Sequence, residues 1–227
     1  MSSKFSLIID FDSTIIGLET LEHLADISIN DYSKTKKKKL ISQISHYTNL
    51  AMNGDITFEQ SLDLRFDLMK LNRQDINNSI TYLKNEIDSS FLDNINFFKK
   101  HLNSIYIVSG GFKSIIQSVL NSVFNADWNI YANEFIFDDQ DNVMGIEKGN
   151  PLSLSRGKVE LVKSLNLDND IIIVGDGYTD YEIKKFNVAK YFLAYTAHVK
   201  RDNVVKNADV VCNDFYNVIK FLNKKYT

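Results

Sequence analysis

The chain has 227 residues, 44% of them hydrophobic and 24% charged, a composition expected of a soluble globular protein and not of a disordered one. A net charge of −3 without a basic stripe argues against a nucleic-acid partner, and no apolar run approaches the roughly 18 residues that a membrane span needs. The N-terminal apolar stretch is too short for a signal peptide and the lone Cys212 excludes an internal disulfide, so a cytoplasmic location is expected.

One proline and nine glycines punctuate the chain, with no Pro- or Ser-rich linker and no repeat, so any domain boundary must be compact. Residues 5–9, FSLII, read as a buried strand ending at Asp10. Residues 18–48 read as helical, with Leu18, Leu21, Leu24 and Ala25 at helical spacing. The run Lys34, Lys36, Lys37, Lys38, Lys39 within it reads as a solvated face. Thr57-Phe58-Glu59-Gln60 has the form of a capping box after the turn Asn53-Gly54-Asp55. Phe58, Leu62, Arg65, Phe66 and Met69 then share a face, and helical character runs on toward residue 100.

From residue 104 the pattern changes. IYIV (105–108) reads as a strand ended by SGG, and Ile115, Ile116, Val119, Leu120 and Val123 mark the helix after it. Residues 130–146 read as a hairpin turning at 138–142, and 131–146 as a candidate flap over the site. A helix is expected over 157–166, a strand at IIIV (171–174) ended by GDG, and shorter strands at YFLAY (191–195) and ADVVC (208–212). This alternation is that of an α/β parallel sheet with covering helices, whose working site lies at the carboxyl ends of the strands. The helical stretch 15–85 interrupts it and reads as an inserted cap on a core made of residues 1–14 and 86–227.

Four groups, at strand ends or a helix start, carry chemistry. Asp10 and Asp12 in DFDST place two carboxylates at the end of a buried strand, which is costly without a positive partner such as Mg²⁺, although acids also cap helices. Ser109-Gly110-Gly111-Phe112 offers backbone N–H groups and a hydroxyl to an oxyanion, or is simply a tight turn that needs glycine. Lys158 falls in the first turn of its helix, where a lysine is slightly unfavourable and where a surface role is the plain alternative. Asp176 and Asp180 in GDGYTD could complete a cation site with Asp10, or serve as turn residues.

Taken in order, DFDST, SGGF, the lysine and GDGxxD resemble the motifs of the haloacid dehalogenase superfamily of phosphohydrolases, and within it those of the phosphoserine phosphatases. The resemblance extends over most of the chain and implies a Rossmann-like sheet with a small helical cap. It also implies roles: Asp10 as nucleophile, Asp12 as general acid and base, and Ser109, Gly110 and Lys158 on the phosphoryl oxygens. Mg²⁺ would be held by Asp10, the Asp12 main-chain carbonyl and Asp176, with Asp180 and Thr179 in support. In the cap, Glu19 would take the substrate ammonium and Arg65 its carboxylate, with Met52 and Phe58 closing over it.

The implied substrate is a small phosphorylated amino acid, O-phospho-L-serine first. Other small phosphorylated metabolites, phosphoryl transfer to another alcohol, and a non-catalytic phosphate sensor are the alternatives. Arg65 also has support of its own, because an arginine on an apolar stripe needs a partner. Tyr178, Thr179 and the segment 194–203 depart from the family pattern, and His23, His46, His101 and His198 show no metal-ligand spacing.

Overall fold

A computed structural model describes residues 4–28 and 32–226. β1 (Phe5–Ile9) is followed by a helical segment: α1 (Thr20–Ser28), α2 (Lys34–Asn53), α3 (Phe58–Phe66) and α4 (Arg73–Leu83). The helix expected over 18–48 is therefore two helices, and residues 29–31 between them lie outside the described residues. Lys34, Lys36, Lys38 and Lys39 are exposed, and Lys37 pairs with Asp26 at 3.0 Å. α3 starts with the capping box read from the sequence, in which Thr57 Oγ1 accepts from Gln60 N and Gln60 Oε1 from Thr57 N. It stops at Phe66, so Met69 packs from the following turn and not from the helix face.

The remainder is α5 (Ser89–Asp93), α6 (Ile95–Lys100), β2 (Ile105–Phe112), α7 (Lys113–Val123), β3 (Asn129–Asn133), β4 (Phe135–Phe137), β5 (Val143–Ile146), α8 (Gly157–Ser164), β6 (Asp170–Gly175), α9 (Tyr178–Lys185), β7 (Tyr191–Tyr195), α10 (Asp202–Val205), β8 (Val210–Cys212) and α11 (Phe215–Tyr226). Six strands form one parallel sheet in the order β3-β2-β1-β6-β7-β8. The fold is Rossmann-like. β1 lies at its centre, with Ile9 opposite Val174 on one side and Ile107 on the other.

Both sheet faces are buried, as parallel sheets require. Leu7, Ile9, Ile107 and Val174 pack with Phe91, Phe98 and Phe215 of the helices on one face. Ile8, Val108 and Ile173 pack with Val159, Val162 and Ile183 on the other. The two connections to the helical segment run side by side. Ile16 bridges Ile87, Gly17 N donates to Glu86 O at 2.9 Å, and Asp88 N donates to Ile15 O at 2.8 Å.

Two expectations need correction. The glycines of SGGF do not end β2; they lie on it, because β3 keeps pairing as far as Phe112–Asn133 across an irregularity after Val108. Nor is 130–146 one hairpin. Residues 129–133 join the parallel sheet, and only β4 and β5 form an antiparallel pair. That pair is tied to the turn before α4, through the Asn72–Asn142 bridge and the Val143 N to Leu71 O bond of 2.8 Å. Phe135 stacks on Phe112 with 3.8 Å between ring centroids.

Candidate active site

The carboxyl ends of β1, β2 and β6 meet beneath the helical segment, around a small, closely covered cavity. Asp10, Asp12, Glu19, Met52, Phe58, Arg65, Ser109, Gly110, Lys158, Asp176 and Thr179 all line it, together with Gly111 and with Leu21, which the sequence marked only as an apolar helix position. Among the described residues none of 131–146 lines it, and the β4–β5 pair is tied to the turn before α4.

Asp10 continues the pairing of β1, its N–H donating to Val174 O at 2.9 Å, and its Oδ1 accepts from Phe11 N at 2.7 Å. Its other oxygen lies 2.9 Å from Lys158 Nζ, which also donates to Asp180 Oδ1 at 2.8 Å. Burial works against the Lys158 ammonium, but Asp10 and Asp180 outweigh it and raise its pKa. The sequence alternative of a surface lysine is therefore wrong: Lys158 is buried between two carboxylates. It reaches them because α8 starts at Gly157, where any Cβ would sit 1.9 Å from Pro151 O.

Asp12 accepts from Thr20 Oγ1. Burial above all, then the charges of Glu19 and Asp10, raise its pKa well above the ordinary carboxylate value, against the Thr20 bond. Glu19 accepts from Ser13 Oγ at 2.8 Å and is raised by burial in spite of Arg201, the Ser13 bond and Arg65.

Ser109 Oγ accepts from Gly111 N at 3.0 Å. Above it the ring of Phe58 covers Gly110, and Met52 comes so close to Gly177 that a Cβ there would sit 2.7 Å from its sulfur. Arg65 is 2% exposed, with Nε donating to Ser61 O at 3.1 Å and one Nη to Thr48 Oγ1 at 3.2 Å. Its other Nη has no hydrogen-bond partner among the described residues, and nor has the buried Oγ1 of Thr179.

One oxygen from each of Asp10, Asp176 and Asp180 lies within 4.8 Å of the others, and all three residues are buried. A donor set made only of carboxylate oxygens, buried together, fits a hard divalent cation. Asp180 joins this cluster by its position on α9, where its other oxygen accepts from Gly177 N at 3.2 Å. The Asp12 side chain takes no part, leaving its main-chain carbonyl for the role the resemblance implies.

Two groups escaped the sequence reading. Arg201, on the loop after β7, contacts Asp176 Oδ2. Applying the strand-end rule to β7 as well would have found it. His198, on the same loop, lies 3.0 Å from Asp88 Oδ2, a pair that no spacing in the sequence announces.

No family model matches the chain. The phosphoserine phosphatase of Drosophila melanogaster is 30% identical to it over 214 residues, which span 91% of this chain and 73% of the relative. The chain belongs to the phosphoserine phosphatase family. It is thus similar to phosphoric monoester hydrolases along nearly its whole length. A phosphoserine phosphohydrolase-like protein from Francisella tularensis superposes with a TM-score of 0.84 at 27% identity, over 96% of this chain and 99% of that one. The phospho-aspartyl intermediate analogue of a phosphoserine phosphatase shares the fold, with a TM-score of 0.76 at 24% identity over 97% of this chain and 99% of that one. No described helix is long and apolar enough to cross a membrane.

Proposed function

We propose that the protein hydrolyses O-phospho-L-serine to serine and phosphate with Mg²⁺, through an aspartyl-phosphate on Asp10. The observation that carries the substrate is Arg65, a buried guanidinium on the cavity wall with one Nη unpaired. A cation nearly out of contact with water needs an anion, and a guanidinium fits a carboxylate. Glu19, also on the cavity wall, is suited to an ammonium. A carboxylate and an ammonium held together, with a phosphoryl group reaching Asp10, describe a phosphorylated amino acid. The segment 15–85 acts as the cap that encloses it, on a core of 1–14 and 86–227. The closely covered cavity, under Phe58 and Met52, favours a small substrate.

An Asp10 oxygen attacks phosphorus, and the bond from phosphorus to the seryl oxygen breaks. Asp12, kept protonated by burial and its acidic neighbours, gives its proton to that oxygen. The resulting Asp12 carboxylate takes a proton from water as the water oxygen attacks the aspartyl-phosphate. Phosphate leaves, and both carboxyl groups return to their starting state. Lys158, the Ser109 hydroxyl and the N–H of Gly110 hold the phosphoryl oxygens, and the cap keeps bulk water out until the first transfer is done. Mg²⁺, held by Asp10, Asp176 and the Asp12 carbonyl, would supply positive charge to the phosphoryl oxygens. Asp180 and Thr179 orient this set. We place the enzyme in the cytoplasm, where the lone buried Cys212 stays a thiol.

The test is phosphate release from a panel of phosphomonoesters led by O-phospho-L-serine, with Mg²⁺ and with a chelator. The expected result is steady release, greatest for phosphoserine, abolished by chelation and by Asp10→Asn in a folded protein. Near-normal turnover by Asp10→Asn would remove the nucleophile assignment, and preference for another phosphomonoester would remove the substrate.

A further inference from the structure

Arg201 is 7% exposed and stands at the edge of the acidic cluster. One Nη contacts Asp176 Oδ2, and the other lies 3.8 Å from Glu19 Oε1. On the opposite flank Lys158 serves Asp10 and Asp180. Each of the three clustered carboxylates therefore already has a protein cation, and Asp176 depends on Arg201 for its own. The backbone beneath the guanidinium is anchored at several points. Thr196 N donates to Cys212 O at 2.8 Å, His198 pairs with Asp88 at 3.0 Å, and Arg201 O accepts from Val204 N at 3.0 Å and Val205 N at 2.9 Å. These bonds hold the backbone only, and the side chain itself is held by the two carboxylates.

We propose that Arg201 is a built-in rival of the divalent cation: its guanidinium neutralises Asp176 until Mg²⁺ displaces it. This rests on the reading above that Asp10 and Asp176 hold Mg²⁺. A guanidinium has donors only and cannot be a ligand, whereas Mg²⁺ demands near-octahedral oxygen coordination. The two cannot share one face of a carboxylate. The Mg²⁺ affinity measured on the whole protein is then the intrinsic affinity reduced by the fraction of molecules whose Asp176 is free of Arg201.

The experiment is calorimetric titration of Mg²⁺, repeated with Mn²⁺ read by electron paramagnetic resonance, without substrate, on the full chain. Arg201→Met keeps the stem and removes the charge. It should tighten the dissociation constant roughly tenfold, the shift expected if about nine molecules in ten hold the guanidinium on Asp176. Arg65→Met removes a positive charge from the same cavity without touching Asp176 and should change it less than about twofold, because only general electrostatics is altered. If Arg201→Met proves unfolded by circular dichroism, Arg201→Gln replaces it, with the same expectation. Equal tightening in the two Met variants, or an Arg201 variant that binds no better than wild type, overturns the inference and leaves the phosphatase reading intact. Metal that binds neither wild type nor variant, or binds Asp176→Asn as well as wild type, overturns the metal site and the inference with it.

Discussion

The ring of Phe58 lies over Gly110, so close that a Cβ at position 110 would stand 2.3 Å from Phe58 Cζ. Phe58 begins α3 in the helical segment and Gly110 sits on β2 of the sheet, so this contact records how tightly the two parts meet. Gly110→Ala would push them apart. The expected outcome is a fall in kcat/KM for phosphoserine of roughly 10²-fold, the scale of a ~1 Å misplacement at a reacting centre. Adding Phe58→Ala should restore part of the loss. A double variant no better than Gly110→Ala would show that residue 110 acts through its own backbone and not through closure.

Arg65 offers its unpaired Nη to the cavity, so Arg65→Ala should discriminate between substrates by their carboxylate. The loss in kcat/KM for phosphoserine should correspond to roughly 2–5 kcal/mol, the cost of truncating one partner of a buried charge pair. Phosphoethanolamine has the ammonium and phosphoryl groups but no carboxylate, and its turnover should change little. Equal losses on both would make Arg65 a structural residue.

Asp12 should give activity an alkaline limb. Burial and the charges of Glu19 and Asp10 raise its pKa, and in the role proposed for Asp12 only the protonated acid would assist a departing serine. Turnover of phosphoserine is therefore retained below that raised pKa and declines as pH rises through it. p-Nitrophenyl phosphate releases a stable phenolate without a proton, so its first step should lack this limb. Asp12→Asn should cost phosphoserine about 10²–10⁴-fold, the usual worth of a general acid, yet still give a burst of p-nitrophenol. Paired pH–rate profiles and burst kinetics check this.

Asp88 joins the returning connection of the helical segment to the far side of the core. It accepts from Tyr195 OH at 2.9 Å and Phe91 N at 3.1 Å, from Ser90 Oγ, and lies 3.0 Å from His198. Burial acts to raise its pKa, but His198, Ser90, Tyr195 and the Phe91 amide together hold it well below the ordinary value. A depressed carboxylate contributes stability that is complete above its unfolded pKa of about 4 and is lost as pH falls through the folded one. Asp88→Ala should cost about 3 kcal/mol at neutral pH. Denaturant unfolding should show the gap to wild type constant above about pH 5 and shrinking below about pH 4.

Much of the fold was legible because the signals were local. A capping box, β-branched runs such as FSLII and IIIV, and acids just after them announce helix starts and strand ends without reference to the rest of the chain. The four motifs fall in order because a parallel sheet gathers the ends of its strands on one edge. The misreadings came from partners distant in sequence. Glycines suggested that β2 stopped at Val108, but β3 supplies pairing to Phe112, and β3 itself looked like half of a hairpin.

The amino-acid order by itself determined the chemistry available: which carboxylates, which lysine and which arginine follow strands or face an apolar stripe, since periodicity and turn formers act over a few residues. Only the tertiary structure decided how those charges are shared. Lys158 divided between Asp10 and Asp180, Arg201 set on Asp176 beside Glu19, and His198 brought against Asp88 are pairings between residues 22 to 182 positions apart. Such pairings depend on where buried side chains end up in a medium that screens charge poorly, and no short window of sequence carries that information.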